Sequence, residues 1–265
     1  MDINSSYTNL SSLGSVHATD SLEKLGSSLA INSASDDPSG LALANALSDQ
    51  KTSLAQSVEN MNSGIAMSNI AQDGLSTQQD LLEKIKTSTI EAMNGTMNED
   101  DKASIQKDIA GYINQFDQVT QNTQYNGQKL LETKGDTTDD LSIATDKSFV
   151  SMEKADTTSV SDKLKSALDN FMSDPAAMLD AVDQGQTQIA QYASNFGSSA
   201  NQMEVSAKGA ISTEKELAQA KSTVLDIDYN KEVSNFSKAN LQAQMSMAVQ
   251  SQSNAVQSRN INLLS

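Results

Sequence analysis

Residues 189–224 read IAQYASNFGSSANQMEVSAKGAISTEKELAQAKSTV. Ile189, Phe196, Met203, Ala210, Leu217 and Val224 stand seven residues apart through five intervals. An apolar row at that period is the seam of a helix packed lengthwise on another helix. Three positions further on in each repeat come Tyr192, Ser199, Ser206, Thr213 and Ala220. The spacing predicts that this mostly small row flanks the seam and lets a neighbouring helix approach closely.

The reading extends outward from that stretch. Pro175 opens the helix upstream, and the period breaks around Asp226-Ile-Asp-Tyr229. A last helix then runs to the end of the sequence, carrying Val233, Phe236, Leu241, Met245, Val249, Val256, Leu263 and Leu264. In the other half, apolar spacing predicts a helix from Ser39 to about Met93. Leu47, Leu54, Met61, Leu75 and Leu82 share one seven-residue lattice, which Ser68 interrupts, and Val58 and Ile65 supply companion positions. Such a helix is about 75 Å long at 1.5 Å per residue. Gly64 and Gly74 lie inside it, and each costs about 1 kcal/mol relative to Ala unless a neighbour packs against the missing side chain. Asn94-Gly95 ends it, since both residues tolerate left-handed backbone. A second helix begins near Asn98 with Glu99, Asp100 and Asp101 at its positive end. It carries Ile105, Ile109, Tyr112, Ile113 and Phe116 to about Thr123, and Asn126-Gly127 closes it. The short connection predicts that these two helices lie antiparallel. Between 133 and 185 the chain holds 11 acidic residues against 5 Lys. There, 141–145 and 149–152 read as a small hairpin, and Leu164, Leu168 and Phe171 as a short helix ending before Pro175.

Composition narrows the functional classes. The 265 residues include 34 Asp and Glu against 18 Lys and Arg, a net charge of −16, with no Cys, no Trp, one His (His17) and one Arg (Arg259). The length suits one or two domains, but 37% hydrophobic residues supply a compact core of that size poorly. Without a basic cluster to neutralise phosphates, nucleic-acid binding is not expected. Without Cys there is neither a disulfide framework nor a zinc–thiolate site. No apolar run is long enough for a membrane helix, and no secretory signal is readable at the start. No cofactor and no metal are expected. Asp36-Asp37 could form an acid–base pair, but their place directly before Pro38 suits a helix N-terminus. Asp226, Asp228 and Glu232 lack the spacing of a calcium loop. Glu83, Lys84 and Lys86 read as a solvated face, and Met245 and Met247 as part of an adaptable helix surface. No constellation supports an enzyme.

Four stretches carry a family resemblance. Residues 23–40, EKLGSSLAINSASDDPSG, and 123–131, TQYNGQKLL, resemble the N-terminal blocks of bacterial flagellin. Residues 226–240, DIDYNKEVSNFSKAN, and the ending NINLLS resemble its C-terminal blocks. The likeness covers 1–132 and 185–265. It implies a mainly α fold, a long antiparallel helical rod or coiled coil with a small β-hairpin at the centre. It implies an inner D0 layer from 1–40 and 226–265, and D1 helices from 41–132 and 186–225. Residues 133–185 would be a short acidic insertion. It further implies a filament subunit exported without a cleaved signal through the flagellar type III apparatus, with a homopolymer, an export chaperone and cap or hook-junction proteins as partners. The resemblance assigns self-assembly to Val233, Phe236, Leu241, Met245, Val249, Val256, Leu263 and Leu264. It assigns the D1 seam to Leu54, Val58, Met61, Ile65, Ile189, Phe196, Met203 and Leu217. The family's site for a vertebrate innate receptor centres on Arg, Leu and Glu, which align with Lys84, Ser88 and Asp108. Those three differences predict weak recognition. A hook–filament junction protein, a minor or secreted flagellin-like protein and a soluble acidic enzyme are the rival readings.

Overall fold

The computed structural model describes residues 16–133, 140–146 and 148–264, and among these the side chains of 140, 257 and 260–264 are excepted. The expected N-terminal D0 helix therefore lies outside the described residues before 16, as do the side chains of Leu263 and Leu264. In chain order the elements are α1 (16–27), α2 (Pro38–Ala92), α3 (Glu99–Asn122), β1 (Gln124–Tyr125), β2 (Gln128–Lys129), β3 (Asp140–Ala144), β4 (Phe149–Glu153), α4 (Thr158–Asp169), α5 (Pro175–Leu225) and α6 (Tyr229–Leu264). The fold is mainly α, with two small antiparallel hairpins among the described residues, β1–β2 and β3–β4. The chain divides into two compact units, residues 1–51 with 215–265 and residues 52–214, and α2 and α5 contribute to both.

The 52–214 unit holds the large apolar core. Met61, Ile189, Phe196 and Met203 are buried in it, Val58 and Ile65 pack half-buried against it, and Leu54 is half-buried. On α5 the buried row is Met178, Val182, Gly185, Ile189, Phe196, Met203 and Ala207. One expectation needs correction here. Ser206 and Thr213, and Ala220 in the other unit, are exposed rather than flanking the seam. The row four residues on from the seam turns inward instead, with Ala207 buried and Glu214 and Lys221 half-buried. A seven-residue lattice marks one row of a helix, while its neighbours decide which flank is covered. Gly64 of α2 stands against Met203, with Ile143 of β3 also beside Gly64, so α2 meets the helix at that turn.

The two glycines inside α2 are sites of close approach. A Cβ on Gly64 would lie 2.4 Å from Met203 Sδ, and one on Gly74 would lie 2.6 Å from Thr123 Oγ1. Ser68 is no interruption of the lattice. It is fully buried, and its Oγ donates to Met152 Sδ of β4 at 3.0 Å. On α3, Asn98 caps the helix by accepting from the Asp101 N–H at 2.8 Å. Helix α3 ends at Asn122, and Asn126-Gly127, expected to close it, instead turns the β1–β2 hairpin (φ 49 and 80), residue types that suit a left-handed hairpin turn.

The β3–β4 hairpin pairs Leu141 with Met152 and Ile143 with Val150, and all four side chains turn into the core. Asn60 Nδ2 donates to the Ala144 carbonyl at 3.0 Å and Ser53 Oγ donates to Asp146 Oδ1 at 2.6 Å, tying the hairpin to α2. Phe149, beside the turn, remains exposed. Deeper in the unit, both Gln78 N–H groups are used, donating to Thr120 Oγ1 at 2.8 Å and Thr157 Oγ1 at 3.1 Å. Those hydroxyls donate onward to the Phe116 and Leu131 carbonyls. Gln78 Oε1 is buried without a partner among the described residues.

Candidate self-assembly surface

The 1–51/215–265 unit is built from short polar latches and small side chains. Helix α1 ends at Ser28, whose φ of 62 turns the chain out of the helix. The strand-like bridge Leu29–Asp226 follows, with the Ala30 N–H donating to the Leu225 carbonyl at 2.6 Å and the Ile227 N–H to the Ser28 carbonyl at 3.3 Å. Tyr229 Oη donates to the Leu25 carbonyl at 3.2 Å, satisfying one open acceptor at the end of α1. Lys221 Nζ donates to Ser48 Oγ at 3.2 Å.

The two adjacent aspartates act as turn formers. Asp37 Oδ1 accepts from the Ser39 and Gly40 N–H groups, each at 3.0 Å, and so caps α2. Asp36 Oδ2 accepts from the Asn32 and Ser33 N–H groups at 3.0 and 2.8 Å. These backbone donors, from Ser33 and then Asn32, hold its carboxyl below the usual carboxylate range, with the Ser33 hydroxyl and the Lys24 charge adding to them. Burial alone would lower the pKa of Lys24, yet the hydrogen bond and charge of Asp20, with Asp36 and Glu232, hold it above the ordinary lysine value. Of the remaining acidic group, Asp228 caps α6 by accepting from the Lys231 N–H at 3.1 Å, and Asp226 accepts from Ser222 Oγ.

Helix α6 is inverted relative to an ordinary surface helix. The face turned into its own unit runs through Phe236, Ala239, Ala243, Ser246, Gln250 and Ser253, at alternating three- and four-residue spacing, with Ala239 and Ser246 buried. The larger aliphatic side chains face away. Leu241, Met245, Val249 and Val256 form one stripe at spacings of four, four and seven, and are 42% to 67% exposed. Val233 stands exposed beside them, and Phe236 is half-buried. Protein surfaces seldom leave such a row of apolar side chains open along one face. On α5, Leu217 is half-buried within this unit.

The three receptor-equivalent positions belong to the other unit. Lys84 and Ser88 are one turn apart on α2, with Lys84 exposed and Ser88 half-buried. Lys84 Nζ sits 5.9 Å from the Tyr112 ring centre, and Asp108 is exposed one turn before Tyr112 on α3. Lys84 also lines a groove of about 650 Å³ between α2 and α3. Its neighbours are engaged rather than merely solvated. Lys86 Nζ pairs with Asp183 at 2.7 Å, and Gln186 Nε2 donates to Glu83 Oε2 at 3.1 Å, linking α2 to α5.

Residues 4–136 match the bacterial flagellin N-terminal helical region, and residues 179–264 match the bacterial flagellin C-terminal helical region. The chain belongs to the bacterial flagellin family. A flagellin of Halalkalibacterium halodurans is 26% identical over 235 residues, covering 88% of this chain and 86% of that protein. A Bacillus subtilis flagellin is 26% identical over 293 residues, 96% of each chain. Among solved structures, a Vibrio parahaemolyticus protein assigned as flagellar hook-associated superposes with a TM-score of 0.64 at 13% identity, covering 72% of this chain and 100% of that one. That last likeness concerns the fold alone. As a flagellin, the chain is a structural subunit of the flagellar filament, and the outward stripe of α6 lies within the C-terminal flagellin match.

Proposed function

We propose that filament contacts start on the outward stripe of α6. Inside its own unit this helix uses small side chains and leaves Leu241, Met245, Val249 and Val256 uncovered, which is the observation that carries the reading. Completing the burial of four half-exposed aliphatic side chains is worth about 5 kcal/mol per subunit before ordering costs. A stripe that meets a different surface on the next copy makes a heterologous contact, and such contacts build an open helical polymer when the rotation does not close. In this reading 1–40 and 226–265 form the inner layer of the filament, and 41–132 with 186–225 the layer around it. Residues 133–185 form a small outer insertion.

Charge supports the same arrangement. The 52–214 unit carries 24 acidic residues against 11 Lys, a net of −13, whereas the other unit carries 10 against 7, a net of −3. A nearly neutral layer tolerates dense packing on its own copies, and an acidic layer suits the water outside. The subunit acts outside the cell in the filament, after passage with an export chaperone, and meets hook-junction and cap proteins there. Seeded assembly examined by electron microscopy tests the reading. The full chain should form filaments, and deletion of 230–265 should abolish them while 52–214 keeps its helical signal. Filaments from the deletion variant at the full chain's critical concentration would overturn the assignment.

Recognition by the vertebrate innate receptor is weak in this reading. Lys84 offers a point charge, already placed over Tyr112, where a bidentate guanidinium is wanted, Ser88 removes an apolar anchor, and Asp108 is a methylene short. In a receptor-reporter assay the triple change Lys84→Arg, Ser88→Leu and Asp108→Glu should raise potency. A wild-type response equal to that of an ordinary enterobacterial flagellin would contradict it.

A further inference from the structure

Solvent access sorts the described methionines. Met61, Met67, Met152, Met178 and Met203 are buried, whereas Met93, Met172, Met245 and Met247 are 40% to 67% exposed, Met245 the most. The two on α6 differ in surroundings. Met245 has Leu241 and Val249 one turn to either side on the open stripe. Met247 stands about 200° around the helix, and the residues three and four positions from it are Ala243, Gln244, Gln250 and Ser251.

We propose that Met245 is an oxidation site that switches assembly off, an inference that rests on the assembly role assigned above to α6. Hydrogen peroxide transfers one oxygen atom to the thioether sulfur. The S–O bond forms as the O–O bond breaks, sulfur loses two electrons, and the peroxide leaves as water. The product is a polar, chiral sulfoxide in the middle of an apolar stripe, flanked by Leu241 and Val249, with the Gln242 amide three positions back the one donor among the side chains three and four positions away. Covering it with another subunit strands a polar oxygen, which raises the critical concentration about tenfold or more. A thiol-dependent sulfoxide reductase reverses the change. Oxidation at Met247, among polar neighbours, leaves assembly intact.

The test treats full-length monomer with dilute hydrogen peroxide, locates sulfoxides by peptide mass mapping and measures the critical concentration of seeded assembly. Wild type and Met247→Leu should lose assembly on oxidation and regain it after enzymatic reduction. For Met245→Leu the critical concentration after peroxide should equal that variant's own value before it, although its other exposed methionines are oxidised. In finished wild-type filaments Met245 should resist peroxide far longer than in monomer, a measurement that needs no variant. Equal sensitivity of Met245→Leu and wild type, or normal assembly of chains mapped as oxidised at Met245, overturns the proposal while leaving the assembly surface standing. Failure of untreated chains to assemble on seeds overturns the assembly role of α6, and this inference with it.

Discussion

Replacing Gly64 with Ala should destabilise the 52–214 unit, although the same change at Gly111 should stabilise it. Both residues lie inside long helices, α2 and α3, so both substitutions gain about 1 kcal/mol of helix propensity. Their surroundings differ. A Cβ at Gly111 meets nothing within 4 Å, while at Gly64 it stands 2.4 Å from Met203 Sδ and 3.0 Å from Ile143 Cγ1. Ordinary carbon contacts lie at about 3.5–4.0 Å, so Met203 must retreat by about 1 Å. It is fully buried in the core of the unit. Overpacking of this kind costs about 1–3 kcal/mol. The propensity gain cancels between the two variants, which leaves Gly64→Ala about 1–3 kcal/mol below Gly111→Ala. For a unit of this size each kcal/mol moves the melting temperature by about 2–4 °C. Urea unfolding of the two variants beside wild type, followed by far-ultraviolet circular dichroism, gives the comparison. Equal midpoints, both above wild type, would refute the packing argument and show that Met203 moves aside freely.

Three further outcomes are expected. Gln78→Leu keeps the volume close and removes a buried acceptor with no partner, while Thr120 and Thr157 keep their donations to the Phe116 and Leu131 carbonyls; it should raise stability by about 1 kcal/mol in urea unfolding, and a loss of that size would show that the network is worth more than its unpaired oxygen costs. Because the Asp36 carboxyl is held below its ordinary value of 3.8, the 32–37 turn is stabilised above that pH and loses the contribution as pH falls through the folded value. Protection of the Asn32 and Ser33 amides from hydrogen exchange, relative to the unstructured rate at each pH, should therefore fall below about pH 4, and Asp36→Ala should abolish that step. Finally, the −13 carried by the 52–214 unit opposes its crowding, so seeded assembly should quicken between 10 and 150 mM salt as the screening length falls from about 30 to about 8 Å; slower assembly would show that attraction between opposite charges dominates instead.

The helices were readable because their punctuation is chemical. Pro38 and Pro175 open α2 and α5, Asn98 caps α3, and the Asp226–Tyr229 break separates α5 from α6. The β3–β4 hairpin followed from two apolar runs around a polar turn. What escaped depends on partners distant in sequence. Ser68 reads as a gap in an apolar lattice until Met152 is seen beside it, 84 positions later. The close approach of α2 to α5 at Met203 depends on Gly64, far away in the chain. Gln78 looks like a surface residue of a polar helix, since nothing nearby in the chain announces Thr120 and Thr157. On α6 the apolar residues were visible, but not that the unit would bury Ala239 and Ser246 and leave Met245 outside.

The Gln78 amide also bears on information. The core of the 52–214 unit is chiefly Ile, Leu, Met and Ala, side chains that fill space and can substitute for one another. Helices with such faces can slide by a turn and still bury similar area. One amide that must meet hydroxyls from α3 and from the residue before α4 permits a single alignment. Gln78 thus acts as a key for register, and a chain entering a lattice of identical copies has to present the same register every time. A Gln78→Leu subunit that is more stable alone would then be less uniform in company, with the defect visible as irregular filaments.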